Sequence, residues 1–278
     1  MNSFLALPKS KLRIAYHDCG SGPVLFFVHG VSESGFIWKY AVNLLREKFR
    51  CITIDLPGHG ESHRQRGSFS MSFYSDIVLE CLDALGLHEV IYCGHSMGGQ
   101  VGIITALRAP ARISKLVLIN SAGLEKFTAP EKQMLAGWAE KTYSDPDYAA
   151  QLRQTLLAHF IGNPARGEEL LHKHTVHADP KYFHERSVML IASIKGMLDE
   201  PVYDFLPALR IPVCILYGNP DLVIPNRWLH PQLTTDIVFQ DAAKNIPGAR
   251  IAALPNCGHY APFENPELFV SGLRQMLR

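Results

Sequence analysis

The sequence has no Cys-x-x-Cys pair, no block of like charge and no apolar run near the length that spans a bilayer. Each absence removes a class. The six cysteines, Cys19, Cys51, Cys81, Cys93, Cys214 and Cys257, are scattered, and several fall in segments of strand character. They read as buried, reduced thiols of a cytoplasmic protein, which excludes a disulfide framework. The first residues, Met1 to Ser10, lack a basic start followed by a long apolar stretch, so no secretory signal is expected. The formal net charge is +1, without a basic patch in the sequence, so neither nucleic acid nor a membrane surface is expected as a partner. What remains is ordinary for a soluble globular enzyme: 278 residues, 47% hydrophobic and 19% charged. That length suits one large domain or a core with an insertion, and it leaves a homodimer open.

The informative stretch is Gly94-His95-Ser96-Met97-Gly98-Gly99. Val90 to Cys93 before it reads as a buried strand, and Val101 to Leu107 after it as an apolar helix. Gly-x-Ser-x-Gly between a strand and a helix is the nucleophile-elbow pattern. A serine on so tight a turn takes a strained backbone. Its neighbours two before, two after and three after must then be tiny, or strand and helix collide. Gly94, Gly98 and Gly99 fill those places. The turn exposes the Ser96 oxygen, and the N–H of Met97, opening the helix, points where an oxyanion could form.

Around this turn, strands and helices alternate. Leu12 to His17 reads as a half-buried strand, Val24 to Val28 and Cys51 to Ile54 as buried strands, and Ile113 to Ile119 as another. Phe36 to Lys48 and Phe73 to Leu85 have helical spacing, and Gly86 fits a C-cap. The pattern implies a doubly wound α/β fold, its mostly parallel sheet covered by helices on both faces, with a site at the carboxyl ends of the strands. Ser96, Val31 and Asp55 all fall at such ends. Asp55 and His59 are expected to brace their loop. Residues 121–206 then look helical throughout, with helices over Pro130 to Thr142, Asp147 to Phe160, Gly167 to Val176 and Tyr182 to Met197. They contain His172-x-His174-x-x-His177, in which His172 and His174 do not share a helix face, so solvent-facing histidines are expected and no metal. Strands resume at Val213 to Tyr217 and Arg250 to Leu254, and Glu264 to Leu277 reads as a final helix.

On these residues the chain resembles the α/β-hydrolases, the capped serine esterases and cofactor-free haloperoxidase-like members above all, over most of its length. The resemblance implies a core of residues 1–120 and 207–278 and a helical cap at 121–206. It implies a second oxyanion donor, the N–H of Val31 in His29-Gly30-Val31-Ser32, with His29 a structural histidine. Ser32, Glu33 and Ser34 would line the same mouth, with simple solvation of their side chains favoured over a direct role. Gly218-Asn219-Pro220-Asp221 matches the family's position for the triad acid, with Asp236 and Asp241 as weaker rivals because Asn226 to Pro247 is longer than usual. Gly258-His259-Tyr260 matches the position of the general base. Ser96, Asp221 and His259 stand in the Ser…Asp…His order of that fold. Ser32, Trp138 and Tyr260 are the expected substrate contacts, and no cofactor is implied.

A serine argues against epoxide hydrolases and haloalkane dehalogenases, which share the fold and use a carboxylate. Carbon–carbon hydrolases of ring-cleavage products use serine, but carry Asn at the His95 position and Trp at the Tyr260 position. A slow-turnover small-molecule receptor with the same triad is the other alternative. The expectation is a serine hydrolase acting on a small carboxylic ester through an acyl-enzyme.

Overall fold

The computed structural model describes residues 3–64, 68–145, 147, 153–154, 156–175 and 180–278, with backbone alone at 164, 174–175 and 180–183. Its strands are β1 Ser3–Ala6, β2 Arg13–Cys19, β3 Val24–Val28, β4 Arg50–Ile54, β5 Val90–His95, β6 Ile113–Ile119, β7 Val213–Asn219 and β8 Arg250–Pro255. They form one sheet in the order β1-β2-β4-β3-β5-β6-β7-β8. The first two strands run antiparallel to their neighbours, and the pairs from β4 through β8 are parallel. The edge strand β1 is short and carries no alternation in the sequence, which explains why β2 reads as the edge.

The parallel strands are apolar on both faces, and their side chains alternate between two cores. Phe26, Val28, Tyr92 and Leu118 point to one side, where they meet α2 (Met71–Ala84) and α3 (Met97–Arg108). Leu25, Phe27, Val117 and Leu216 point to the other, against α1 (Lys39–Leu45) and the C-terminal helix. Cys51, Cys93 and Cys214 belong to that second face, and all six cysteines are free thiols. Burial pushes Cys51 and Cys257 up to about 12, as expected of inert core thiols.

Between β6 and β7 lie α4 (Ala129–Ser144), α5 (Pro164–Thr175) and α6 (Pro180–Asp199). Helix α4 opens on a Thr128–Glu131 capping box and packs against α6. Of the helix expected over Asp147 to Phe160, residues 148–152 and 155 lie outside the described residues, and 153–154 and 156–158 are helical. Two core side chains, Gln100 and Tyr74, fasten α6 and the residue after it to the core. Gln100 on α3 donates to the Met197 and Glu200 carbonyls at 2.9 and 2.8 Å, and Tyr74 meets Ser193 at 2.9 Å. The long segment after β7 contains α7 (Thr235–Lys244). The final helix, expected over Glu264 to Leu277, is α9 (Pro266–Leu277), and a short helix the sequence did not indicate, α8 (Ala261–Glu264), precedes it. Pro266 disfavours helical backbone at the residue before it, and Asn265, at φ −138°, instead caps α9 through Leu268 N–H.

Candidate active site

Ser96 sits at the junction of β5 and α3 with φ 50° and ψ −119°, a conformation that costs free energy for any residue with a Cβ. Its own N–H donates to Ile119 O at 3.0 Å, and its carbonyl accepts from Ala122 and Gly99. The close packing that requires the glycines is explicit. A Cβ on Gly94 would lie 2.4 Å from Gly98 O, one on Gly98 2.4 Å from Val28 O, and one on Gly99 2.1 Å from Ser121 Oγ. Met97 is the first residue of α3, so its N–H has no intrahelical acceptor. Gly30 packs against Ser96, where a Cβ would stand 3.0 Å from the serine Cβ, and this brings Val31 to the same cavity.

Asp221 and His259 come together from the ends of β7 and β8: His259 Nδ1 lies 2.8 Å from Asp221 Oδ2. The other Asp221 oxygen accepts from Val223 N at 2.7 Å and Ile224 N at 3.1 Å. Asn120, just after β6, donates to Asp221 Oδ2 at 2.7 Å and accepts from Gly218 N at 3.1 Å. Asp221 is fully buried. Burial alone would raise its pKa; the His259 charge and hydrogen bond, Asn120 and Val223 outweigh it and hold the carboxyl below the ordinary range. The rivals are engaged elsewhere. Asp236 accepts from Tyr217 at 2.5 Å and Asn219 at 2.9 Å, and Asp241 accepts from Tyr203.

Two histidines hold the backbone of this site. His95 Nε2 lies 2.9 Å from the His259 carbonyl, which can only accept, so His95 carries its proton there. Its full burial lowers its pKa to about 3, which keeps it neutral. His29 Nδ1 donates to Gly30 O at 2.7 Å, and its Nε2 accepts from Leu56 N at 2.9 Å, so it ties the 30–33 loop to the loop after β4. Asp55 braces the same region, accepting from Gly35 N at 2.7 Å and Glu61 N at 2.8 Å.

Ser96 and His259 both line a cavity of about 600 Å³. Val31, Ser32, Trp138 and Tyr260 line it too, so the structure gathers every residue named from the sequence as a contact. Asn120, His95, Glu125 and Glu264 were not singled out there. The position of Asn120 directly after a parallel strand was the available signal; the others carry none in sequence. Glu125 accepts from Asn226 N and from His230, whose other nitrogen meets Glu131 at 3.2 Å. Glu264 is 2% exposed; one oxygen accepts from Ile161 N at 2.7 Å and from Gly162 N, the other from Gly258 N at 2.7 Å. It thereby joins the helical insertion to the loop that carries His259.

Two expectations change. Glu33, read as solvated, is buried at 3% exposure, because helices α5 and α6 roof the loop it stands on. Ser34, also read as solvated, is half-buried and accepts from Phe36 N at 3.3 Å, which caps the 3-10 turn Gly35–Trp38. Of the histidine cluster, His172 is exposed, while His177 and the His174 side chain lie outside the described residues. Among the described residues no group of histidine, cysteine and carboxylate side chains is arranged to hold a metal ion.

Residues 23–266 match the family described as the alpha/beta hydrolase fold. A pimeloyl-[acyl-carrier protein] methyl ester esterase from Nitrosomonas europaea is 30% identical over 263 residues, covering 91% of this chain and 94% of its own length. A thermophilic esterase from Thermogutta terrifontis superposes with a TM-score of 0.82 at 23% identity, covering 100% of this chain and 98% of its own. The enol-lactonase of Burkholderia xenovorans LB400 superposes with a TM-score of 0.80 at 20% identity, over 99% of both chains.

Proposed function

Because the chain belongs to the α/β hydrolase fold family, we propose that this hydrolase cleaves a small carboxylic ester through Ser96, His259 and Asp221. The observation that carries the reading is the 2.8 Å contact of a buried, donor-saturated Asp221 with His259, whose ring opens on the same cavity as Ser96. With Nδ1 committed to Asp221, the Nε2 of His259 is the nitrogen left for proton transfer.

Ser96 Oγ attacks the ester carbonyl carbon as its proton passes to His259 Nε2. Asp221 stabilises the imidazolium and fixes its orientation. The carbonyl oxygen becomes an oxyanion that accepts from the N–H groups of Val31 and Met97. Collapse breaks the carbon–oxygen bond to the alcohol, which leaves with the proton from Nε2, and an acyl-Ser96 remains. Water then gives its proton to His259 and attacks the acyl carbon; breakdown returns the proton to Ser96 and releases the acid. No cofactor enters any step.

The helical insertion acts as a cap in this reading. Trp138, Leu135 and Met197 from α4 and α6 supply apolar cavity wall. The esterase name of the 30% identical relative supports an ester substrate. A phosphonate ester should label Ser96 stoichiometrically and abolish hydrolysis of p-nitrophenyl butyrate, and Ser96→Ala should be inactive. Labelling at another residue, or turnover surviving in Ser96→Ala, rejects the nucleophile.

A further inference from the structure

A second cavity of about 370 Å³ adjoins the first, and Ser32 and Glu33 line both. It lies between the loops at 32–36 and 55–61 and the roof contributed by Leu170, Lys173, Arg186 and Met189. Glu33 is the feature that marks it. Neither carboxyl oxygen has a hydrogen-bond partner among the described residues, although the side chain is almost wholly buried. The other buried carboxylates of the described residues all have their donors. Asp55 holds two backbone N–H groups, Glu80 those of Lys9 and Ser10, Glu264 three, and Asp221 a histidine, an amide and two N–H groups. A carboxyl kept only for the fold would be satisfied in the same way, because leaving a buried polar group unpaired costs folding free energy.

We propose that this cavity is a subsite of the ester-binding site and takes a hydroxyl-bearing arm of the substrate, bound by the Glu33 carboxyl. The inference rests on the serine-esterase reading and extends it to a substrate class. The chemistry of the wall selects a hydroxyl. Burial pushes the Glu33 carboxyl up to about 8 against the weaker pull of Arg186, so at neutral pH it offers one O–H donor and one carbonyl acceptor. A hydroxyl matches both with a single atom. An alkylammonium would need the ionised acid and would face Lys39, Lys173 and Arg186 on the same wall; a carboxylate would face Asp55 and Glu61. A substrate without the hydroxyl leaves Glu33 unpaired, and sites of that kind discriminate strongly against the analogue that lacks the polar group.

The test compares kcat/KM for matched esters: p-nitrophenyl 3-hydroxybutyrate against p-nitrophenyl butyrate, and 2,3-dihydroxypropyl butyrate against propyl butyrate. At least one hydroxylated ester should be preferred by about tenfold or more in the wild type, chiefly through KM. Glu33→Leu should lower that ratio toward one, with Glu33→Met serving if the leucine variant does not fold. Glu33→Gln, which keeps a donor and an acceptor in the same volume, should retain most of it. Equal rates for both pairs in the wild type, or a preference that survives loss of the carboxyl, overturns the subsite. Hydrolysis of p-nitrophenyl butyrate that disappears in Ser96→Ala keeps the esterase reading standing in either case.

Discussion

Asp221 is held by four donors, and each defines a different failure. Asp221→Asn keeps the volume but offers an amide to His259 Nδ1, favouring the wrong tautomer. In the serine mechanism kcat should fall by roughly 10³–10⁴, with the melting temperature little changed. Steady-state kinetics beside a thermal melt checks both. Asn120→Ala removes one donor of the carboxylate and the acceptor of Gly218 N. It also places alanine at φ 42°, where asparagine is among the few tolerated side chains. It should lose stability as well as activity, which separates it from Asp221→Asn. Glu33 gives a prediction in pH. Its carboxyl sits near 8 in the folded chain against an ordinary 4.5. Between those values the unfolded chain has released a proton that the folded chain keeps, so stability falls as pH rises through the window. Glu33→Gln lacks that dependence. Its melting temperature relative to the wild type should rise from about pH 5 to about pH 8; a pH-independent difference shows that Glu33 is ionised when folded.

At the scale of elements, the site depends on how the helical insertion meets the His259 loop. Glu264, the last residue of α8, binds Ile161 and Gly162 on one side and Gly258 on the other. Gly258 lies so close to the insertion that a Cβ there would stand 2.0 Å from His159 O, a backbone atom that cannot swing away. Gly258→Ala should therefore displace residues 159–162 relative to His259. Its effect should appear in KM and kcat together, because one movement alters both the cavity wall and the position of His259, the proposed base. Glu264→Ala leaves the buried N–H of Gly258 and the part-buried N–H groups of Ile161 and Gly162 without an acceptor and should cost about 1–3 kcal/mol of stability. Denaturant unfolding measures that loss. A variant as stable as the wild type means that water takes the place of the carboxylate.

The whole molecule is a sheet with the candidate site at one end and helices of the insertion lining the cavity there. That arrangement encloses about 600 Å³ above Ser96, within the roughly 300–1,000 Å³ common for small-molecule sites. Short-chain p-nitrophenyl esters should outpace long-chain ones in kcat/KM, and an emulsion of triglyceride should not activate the enzyme. Interfacial activation on such an emulsion points to a lipase with a mobile roof. Chelation should leave turnover unchanged, since in the proposed mechanism the nucleophile is a serine of the chain and the oxyanion donors are backbone amides; activity lost to EDTA and restored by zinc contradicts the serine route.

The alternation of apolar strands with amphipathic helices was enough to specify a doubly wound sheet, because both periodicities are written locally along the chain. Gly94, Ser96, Gly98 and Gly99 were equally legible, since a turn of that tightness admits few other residues. Asp221 and His259 were named through the family resemblance, with Asp236 and Asp241 kept as rivals to Asp221; the structure brings Asp221 and His259 into contact. Tertiary structure alone decided what lies between distant segments. That His95 holds the His259 carbonyl spans 164 residues, and that Asn120 holds Asp221 spans 101. Nothing local announces either contact. Glu33 makes the point in reverse. In sequence it is a charged residue between two serines, the usual mark of a solvated loop. Only the helices folded back over it, from more than a hundred residues later, bury its carboxyl, which has no hydrogen-bond partner among the described residues.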